Sequence, residues 1–307
     1  MSGRQQIRML PDGHRLHLQD GPIDLIVGAD GDGETIRAAY EAAARRFATL
    51  LDELCGELSL LRQPTHADAL SETGRRMVAA TRAYATDDFI TPMAAVAGAG
   101  ADTILSAMLK AAPLNRAYVN NGGDIALHLA PGTSFTIGMV SRPDLAAALH
   151  GNLTIRAEDG IHGIATSGRH GRSFSLGVAD AVTVLAADAA GADAAATMIA
   201  NAVDLPGHLA VTREPANTIQ PDSDLGERLV TRSVGPLSDA EIADALASGA
   251  GYAERLVEAG HIHAAALHLA GETRLIGVKA PTQFVMAGVV MPGMTAKQKE
   301  FGSHAAS

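Results

Sequence analysis

Apolar and polar residues alternate from Arg15 to Val27, with Leu16 and Leu18 before Asp20-Gly21-Pro22 and Ile23, Leu25 and Val27 after it. A period of two marks half-buried strands, and the turn residues between the runs predict a hairpin. After Asp30-Gly31-Asp32-Gly33 the period changes. Thr35 to Leu61 reads as a long alanine-rich helix, and His66 to Tyr84 as a second helix behind Pro64. A third follows Pro92, through the small residues Met93 to Ala101 and the amphipathic Ile104, Leu105, Met108 and Leu109, and stops at Pro113. A hairpin around Gly122-Gly123 comes next, then strands at Ser134 to Val140 and Leu153 to Ala157. Gly160 to Gly171 is glycine-rich and reads as a loop. Val178 to Leu185 reads as a buried strand, and Ala189 to Ala202 and Asp239 to Glu258 as helices. Two more strands are expected at His263 to Leu269 and Phe284 to Val290. Hairpins and helices fall in separate blocks, which predicts an α+β fold over a doubly wound parallel sheet. Residues 1–295 read as a single domain of two interlocked halves, and 296–307 as a polar tail.

Composition narrows the picture. In 307 residues, 47% are hydrophobic but only 3% aromatic, with no Trp, so the core must be built from Ala, Val, Leu, Ile and Met. A net charge of -10 argues against a nucleic-acid partner, which calls for a basic footprint, and against an anionic membrane surface. The single cysteine, Cys55, excludes an intrachain disulfide and a cysteine-based zinc or iron–sulfur centre. Its setting in Leu50 to Cys55 predicts a small core residue. The N-terminal residues lack an apolar signal-peptide core, and no later stretch reads as long and uncharged enough to span a bilayer, so a cytoplasmic protein is expected.

Three segments could carry chemistry. In Tyr118-Val119-Asn120-Asn121-Gly122-Gly123-Asp124-Ile125 a strand meets two amides, two glycines and an acid. Asn-Gly chemistry explains a surface turn, while the missing side chains also open a spot for close approach beside a carboxylate. In Ala192-Asp193-Ala194-Ala195-Ala196-Thr197 the acid and hydroxyl lie four apart, on one helix face. That pair suits Mg²⁺, a hard cation taking oxygen ligands; it equally suits an acid near a helix N-terminus with a filler threonine. Thr166-Ser167-Gly168 offers hydroxyls and a glycine at a loop tip, either a phosphate or ribityl contact or an ordinary turn. Ala97-Gly98-Ala99-Gly100-Ala101-Asp102 fails the dinucleotide-loop spacing and reads as close helix packing. His261 and His263 lack a third ligand partner and read as exposed or edge histidines.

Taken in order, these three segments resemble ApbE-like proteins, which are FAD:protein FMN transferases. The resemblance covers roughly Pro92 to Val203. It implies an ApbE-like fold with sheet and helices around a central cleft. Asn121, Gly122, Gly123 and Asp124 would line a flavin or nucleotide site, with Thr166, Ser167 and Gly168 beside it. Asp193 and Thr197 would hold Mg²⁺ against a pyrophosphate, with FAD or FMN as the cofactor. The chain departs from the transferase pattern: between Gly168 and Asp193 there is no His-x-x-Asp-Pro, and no Lys-Gly pair opens the helix after Pro92. It looks like a short, uncharacterised branch of the family, with His170 the candidate to replace the missing histidine because imidazole moves protons near neutral pH. The implied function is FMN transfer or related pyrophosphate chemistry. The alternative is a non-catalytic accessory or binding protein for a redox or sulfur-metabolism protein partner.

Overall fold

A computed structural model describes residues 5–64, 67–140, 149–277 and 284–286. The chain begins with a meander of β1 (Gln6–Met9), β2 (Leu16–Asp20) and β3 (Ile23–Asp30). Asp32 then caps α1 (Gly33–Gly56), its side chain accepting from the Glu34 and Thr35 N–H groups. This helix stops earlier than the alanine pattern suggests, and a separate turn, α2 (Leu58–Leu61), follows. Glu57 is the pivot: its carboxylate accepts from the N–H groups of Leu70 and Ser71 and from the Ser71 hydroxyl, fixing the chain at the break. The next helix, α3 (Glu72–Arg82), starts at its Ser71 cap instead of at His66, which lies outside the described residues. Cys55 is exposed, contrary to the expectation of a core residue. The buried stripe of α1 runs through Ala39, Tyr40, Ala43, Phe47, Leu50 and Leu54, and one residue further turns about 100° towards solvent.

A 3₁₀ turn (Pro92–Ala95) leads into α4 (Val96–Ala111). Together they are long and apolar enough to cross a membrane, contrary to expectation, but most of the segment is buried in the fold. Then come β4 (Arg116–Asn121), β5 (Asp124–Leu129), β6 (Ser134–Val140), β7 (Leu149–Arg156) and β8 (Gly163–Ser167). The glycine-rich stretch expected as loop therefore contains a strand. β8 is five residues long and holds its form by pairing on both sides, a tertiary effect that overrides weak local propensity. After β9 (Ala181–Ala186) and α5 (Ala189–Ala202) come β10 (Val211–Pro215), the short α6 (Ala216–Ile219) and β11 (Leu229–Val234). Helix α7 (Asp239–Glu258) opens on a capping box between Ser238 and Glu241. The described chain closes with β12 (Ala264–Leu269), β13 (Glu272–Ile276) and β14 (Phe284–Met286). The rest of the last predicted strand, and the polar tail, lie outside the described residues.

Nine strands make one antiparallel sheet in the order β1-β2-β3-β4-β5-β8-β9-β12-β13. Helices α1, α4, α5 and α7 lie side by side on one face over the larger core, which includes Leu25, Val27, Phe47, Ile104, Val119, Val182 and Ile199. On the other face a smaller core of Leu127, Leu129, Leu153, Ile155, Ile161, Ile164 and Leu185 joins the sheet to a three-stranded sheet, β14-β7-β6. This is the expected α+β class.

Candidate functional site

The β4–β5 connection is a two-residue hairpin, with Asn121 paired to Asp124 and Gly122 and Gly123 at φ of +68° and +117°. Both turn residues need positive φ, which glycine adopts without steric cost. Asn120 Oδ1 accepts from the Gly123 N–H at 2.9 Å, tightening the turn. Residues along β4 alternate, so Asn121 shares the helix-facing side with the buried Ala117 and Val119. Its Nδ2 donates to the Ala97 carbonyl at 3.0 Å, fastening the hairpin to the first turn of α4. Asp124, directly across the pair, faces the same way.

Helix α5 brings the second acid. Asp193 Oδ2 accepts from the Gly98 N–H at 2.9 Å. Asp124 Oδ1 accepts from the Thr166 N–H at 3.3 Å. Hairpin, α4, α5 and the end of β8 thus meet at two carboxylates close enough to repel. Burial pushes the Asp193 carboxyl well above the usual carboxylate range, and the Asp124 charge raises it further. Burial also pushes Asp124 up, to about 7, against the lowering effect of the Thr166 N–H. By surface area each acid keeps some exposure, so the pair is not sealed from solvent. Among the described residues neither acid forms an ion pair with a basic side chain.

The approach of α4 to α5 depends on glycine. A Cβ on Gly98 would stand 2.1 Å from the Ala189 carbonyl oxygen, and one on Gly163 in β8 would stand 1.9 Å from that of Asp188. The start of α5 is held between them. Its N–H groups are capped twice: Asp188 Oδ1 accepts from Gly191, and Asp102, reaching across from α4, accepts from Ala189 and Ala190 at 3.1 and 2.9 Å. Burial raises the Asp102 carboxyl to about 6 even so. The small-residue run Ala97 to Asp102 is therefore a packing seam, as expected. Asp102 as a cap was missed, because nothing local distinguishes an acid that reaches another helix.

The remaining candidates take separate places in the fold. Thr166 and Ser167 end β8 instead of forming a loop tip, and Thr166 Oγ1 lies 2.9 Å from Thr183 Oγ1. Gly168, at φ +149°, turns the chain where a Cβ would meet the Asp180 carbonyl oxygen at 2.5 Å. Beyond it the chain passes close to the hairpin: a Cβ on Gly122 would lie 3.2 Å from an Arg172 guanidinium nitrogen. His170 Nε2 sits 3.2 Å from Asp180 Oδ1, a carboxylate that also takes Arg169 and the Ala270 N–H. Thr197 lies one turn beyond Asp193 on α5. His261 and His263 are exposed, as expected.

Two neighbouring acids with no basic partner among the described residues fit Mg²⁺, which is held by one or two protein carboxylates and completes its shell with water and substrate phosphate. No group of three or more His, Cys, Asp or Glu side chains able to hold a metal occurs among the described residues, so an all-protein cage is not what this site offers. Two recesses, of about 470 and 490 Å³, share no lining residue with the acid pair, so the site rests on its chemistry and not on cavity size.

The family model described as AbpE bacteria matches residues 7–275. The chain belongs to this ApbE-like family. It is 35% identical over 199 residues to a UPF0280 protein of Methanosarcina acetivorans, covering 62% of this chain and 72% of the relative. It is 43% identical over 115 residues to a UPF0280 protein of Methanothrix thermoacetophila, covering 37% and 46%, and 39% identical over 130 residues to one of Methanopyrus kandleri, covering 42% and 50%. The chain thus spans about half the length of the last two. Among solved structures it is similar to an ApbE protein from Thermotoga maritima, at 18% identity and a TM-score of 0.31, covering 58% of this chain and 68% of that one.

Proposed function

We propose that this ApbE-like chain binds the phosphate end of a flavin or other nucleotide through Mg²⁺ held at Asp124 and Asp193. The observation that carries this reading is the desolvated acid pair, whose mutual repulsion a divalent cation would relieve. Bound there, Mg²⁺ would neutralise phosphate charge and orient the scissile bond. Thr197 would add a hydroxyl oxygen one turn from Asp193. Asn121, Gly122 and Gly123 would form the wall that lets a flavin or ribose ring approach backbone, with Thr166, Ser167 and Gly168 beside it. His170, held by Asp180, is the residue we propose for proton transfer. In the transfer reaction with FAD, the bond between the FMN phosphorus and the AMP oxygen breaks. An acceptor hydroxyl oxygen takes the leaving group's place and loses its proton, and AMP departs.

The test is equilibrium dialysis of the protein against FAD with and without Mg²⁺, followed by assay for AMP. Saturable FAD binding that requires both Mg²⁺ and Asp193 is the expected result. Absence of flavin binding at high ligand concentration would remove the flavin reading. AMP release without flavin on protein would redirect the reaction to pyrophosphate hydrolysis.

A further inference from the structure

The outer edge of the main sheet carries features that a ligand site at Asp124 and Asp193 does not use. Strand β1 pairs with β2, and among the described residues no strand pairs with its other side. All four of its residues are exposed. In register, Ile7 stands beside Leu18 and Met9 beside Leu16, so both project to the helix-bearing face where Leu16 and Leu18 enter the core. Yet Ile7 and Met9 are 47% and 45% exposed, two of the few large apolar residues so open among those described. With Leu16, Ile36, Tyr40 and Ala44 they line a groove of about 470 Å³ between the sheet edge and the first half of α1. Natural sheets protect an open edge with charges, prolines or bulges. Here the groove-facing positions of the edge are apolar.

The rim of the groove indicates what covers it. Along the exposed side of α1 the charges run Glu34, Arg37, Glu41, Arg45, joined among the described residues only by long contacts, 3.9 Å for Arg37–Glu34 and 3.7 Å for Arg45–Glu41. Read backwards, the series is Arg, Glu, Arg, Glu. An identical helix lying antiparallel would therefore set Arg37 opposite Glu41 and Glu34 opposite Arg45, twice over. A two-fold axis produces that arrangement, because each contact between residues i and j recurs as j and i. Antiparallel pairing of β1 with its copy obeys the same axis and satisfies the open strand edge. A register placing Ile7 beside its copy sets Gln6 opposite Arg8 and avoids stacking two arginines.

We propose that the β1 edge and the first half of α1 form a two-fold interface with a second copy of this chain, continuing the nine-stranded sheet across the dimer. Arg8 lies on the opposite face of the strand, where its Nε donates to His17 Nδ1, and so stays clear of the groove.

Charge reversal distinguishes this arrangement from other associations. Sedimentation equilibrium would compare the wild-type chain, Arg37→Glu, Glu41→Arg and an equimolar mixture of the two variants. The wild type is expected to give twice the 31.5 kDa chain mass. Each reversal places like charges in both symmetric contacts and should weaken self-association by at least about tenfold. The mixture restores both attractive contacts and should recover the dimer as a heterodimer, which also shows that each variant folds. Ile7→Asp should weaken association through the groove without altering α1. A wild-type monomer at about 100 µM would overturn the proposal, since interfaces of ordinary size bind more tightly than that. A dimer indifferent to both reversals, or a mixture that stays monomeric, would overturn it equally.

Discussion

At the residue scale the decisive feature is the pairing of Asp124 with Asp193. Turn chemistry made Asn120 to Asp124 legible in the sequence: both turn positions require glycine, and Asn120 does what an asparagine before such a turn does. Helical spacing likewise placed Asp193 and Thr197 one turn apart. That Asp193 and Asp124 share one site was suggested only by family resemblance, because nothing local in either segment specifies a contact across the fold. The pairing has a consequence for stability. Asp124 carries a folded value of about 7 against an ordinary 3.8. Between those pH values the folded chain binds more protons than the unfolded one, so stability declines as pH rises. The contribution is complete below about pH 4 and is lost through about pH 7. Without divalent ions, the melting temperature should therefore be lower at pH 8 than at pH 5. Asp193→Asn should flatten that dependence by removing a second buried acid whose carboxyl is raised in the same direction. A melting temperature that rises steadily over this interval in the wild type, or an unchanged slope in the variant, would contradict the assignment.

At the scale of elements, the site depends on how closely α4 and β8 hold the start of α5. Gly98→Ala should destabilise the protein by about 2–3 kcal/mol, because the new methyl meets a backbone carbonyl that cannot swing aside. Gly251→Ala in α7, where nothing lies within 4 Å of the added atom, is the control and should stabilise by about 0.5–1 kcal/mol. Asp102→Ala should cost about 1–2 kcal/mol by leaving the Ala189 and Ala190 N–H groups without their acceptor. Urea denaturation of the three variants checks all of these, and equal stability of the two glycine variants would refute the seam. The helices were well legible: α5 and α7 fall within the predicted bounds, since caps and small-residue periodicity are local signals. Strand β8 was not, because its identity comes from neighbours on both sides. Edge strands such as β13 were missed for a related reason: a polar, half-exposed sequence carries no alternation to read.

For the whole molecule, block order sufficed to separate α+β from a parallel sheet, but strand order could not be read, because it is set by pairings such as β5 with β8 and β9 with β12. The sheet order makes the site: it places the β4–β5 turn and the β8 end together beneath the starts of two helices. Binding of a ligand there should raise the melting temperature in proportion to its occupancy. Mg²⁺ and FAD together should give a larger rise than the sum of each alone, and strictly additive shifts would argue against a shared site. The central claim is that the acid pair is a divalent-cation site, and calorimetric titration of Mg²⁺ at pH 8 into the wild-type and Asp193→Asn proteins tests it most directly. We predict saturable binding to the wild type and at least about tenfold weaker binding to the variant. Equal affinity in the two proteins, or no binding to the wild type, would contradict it.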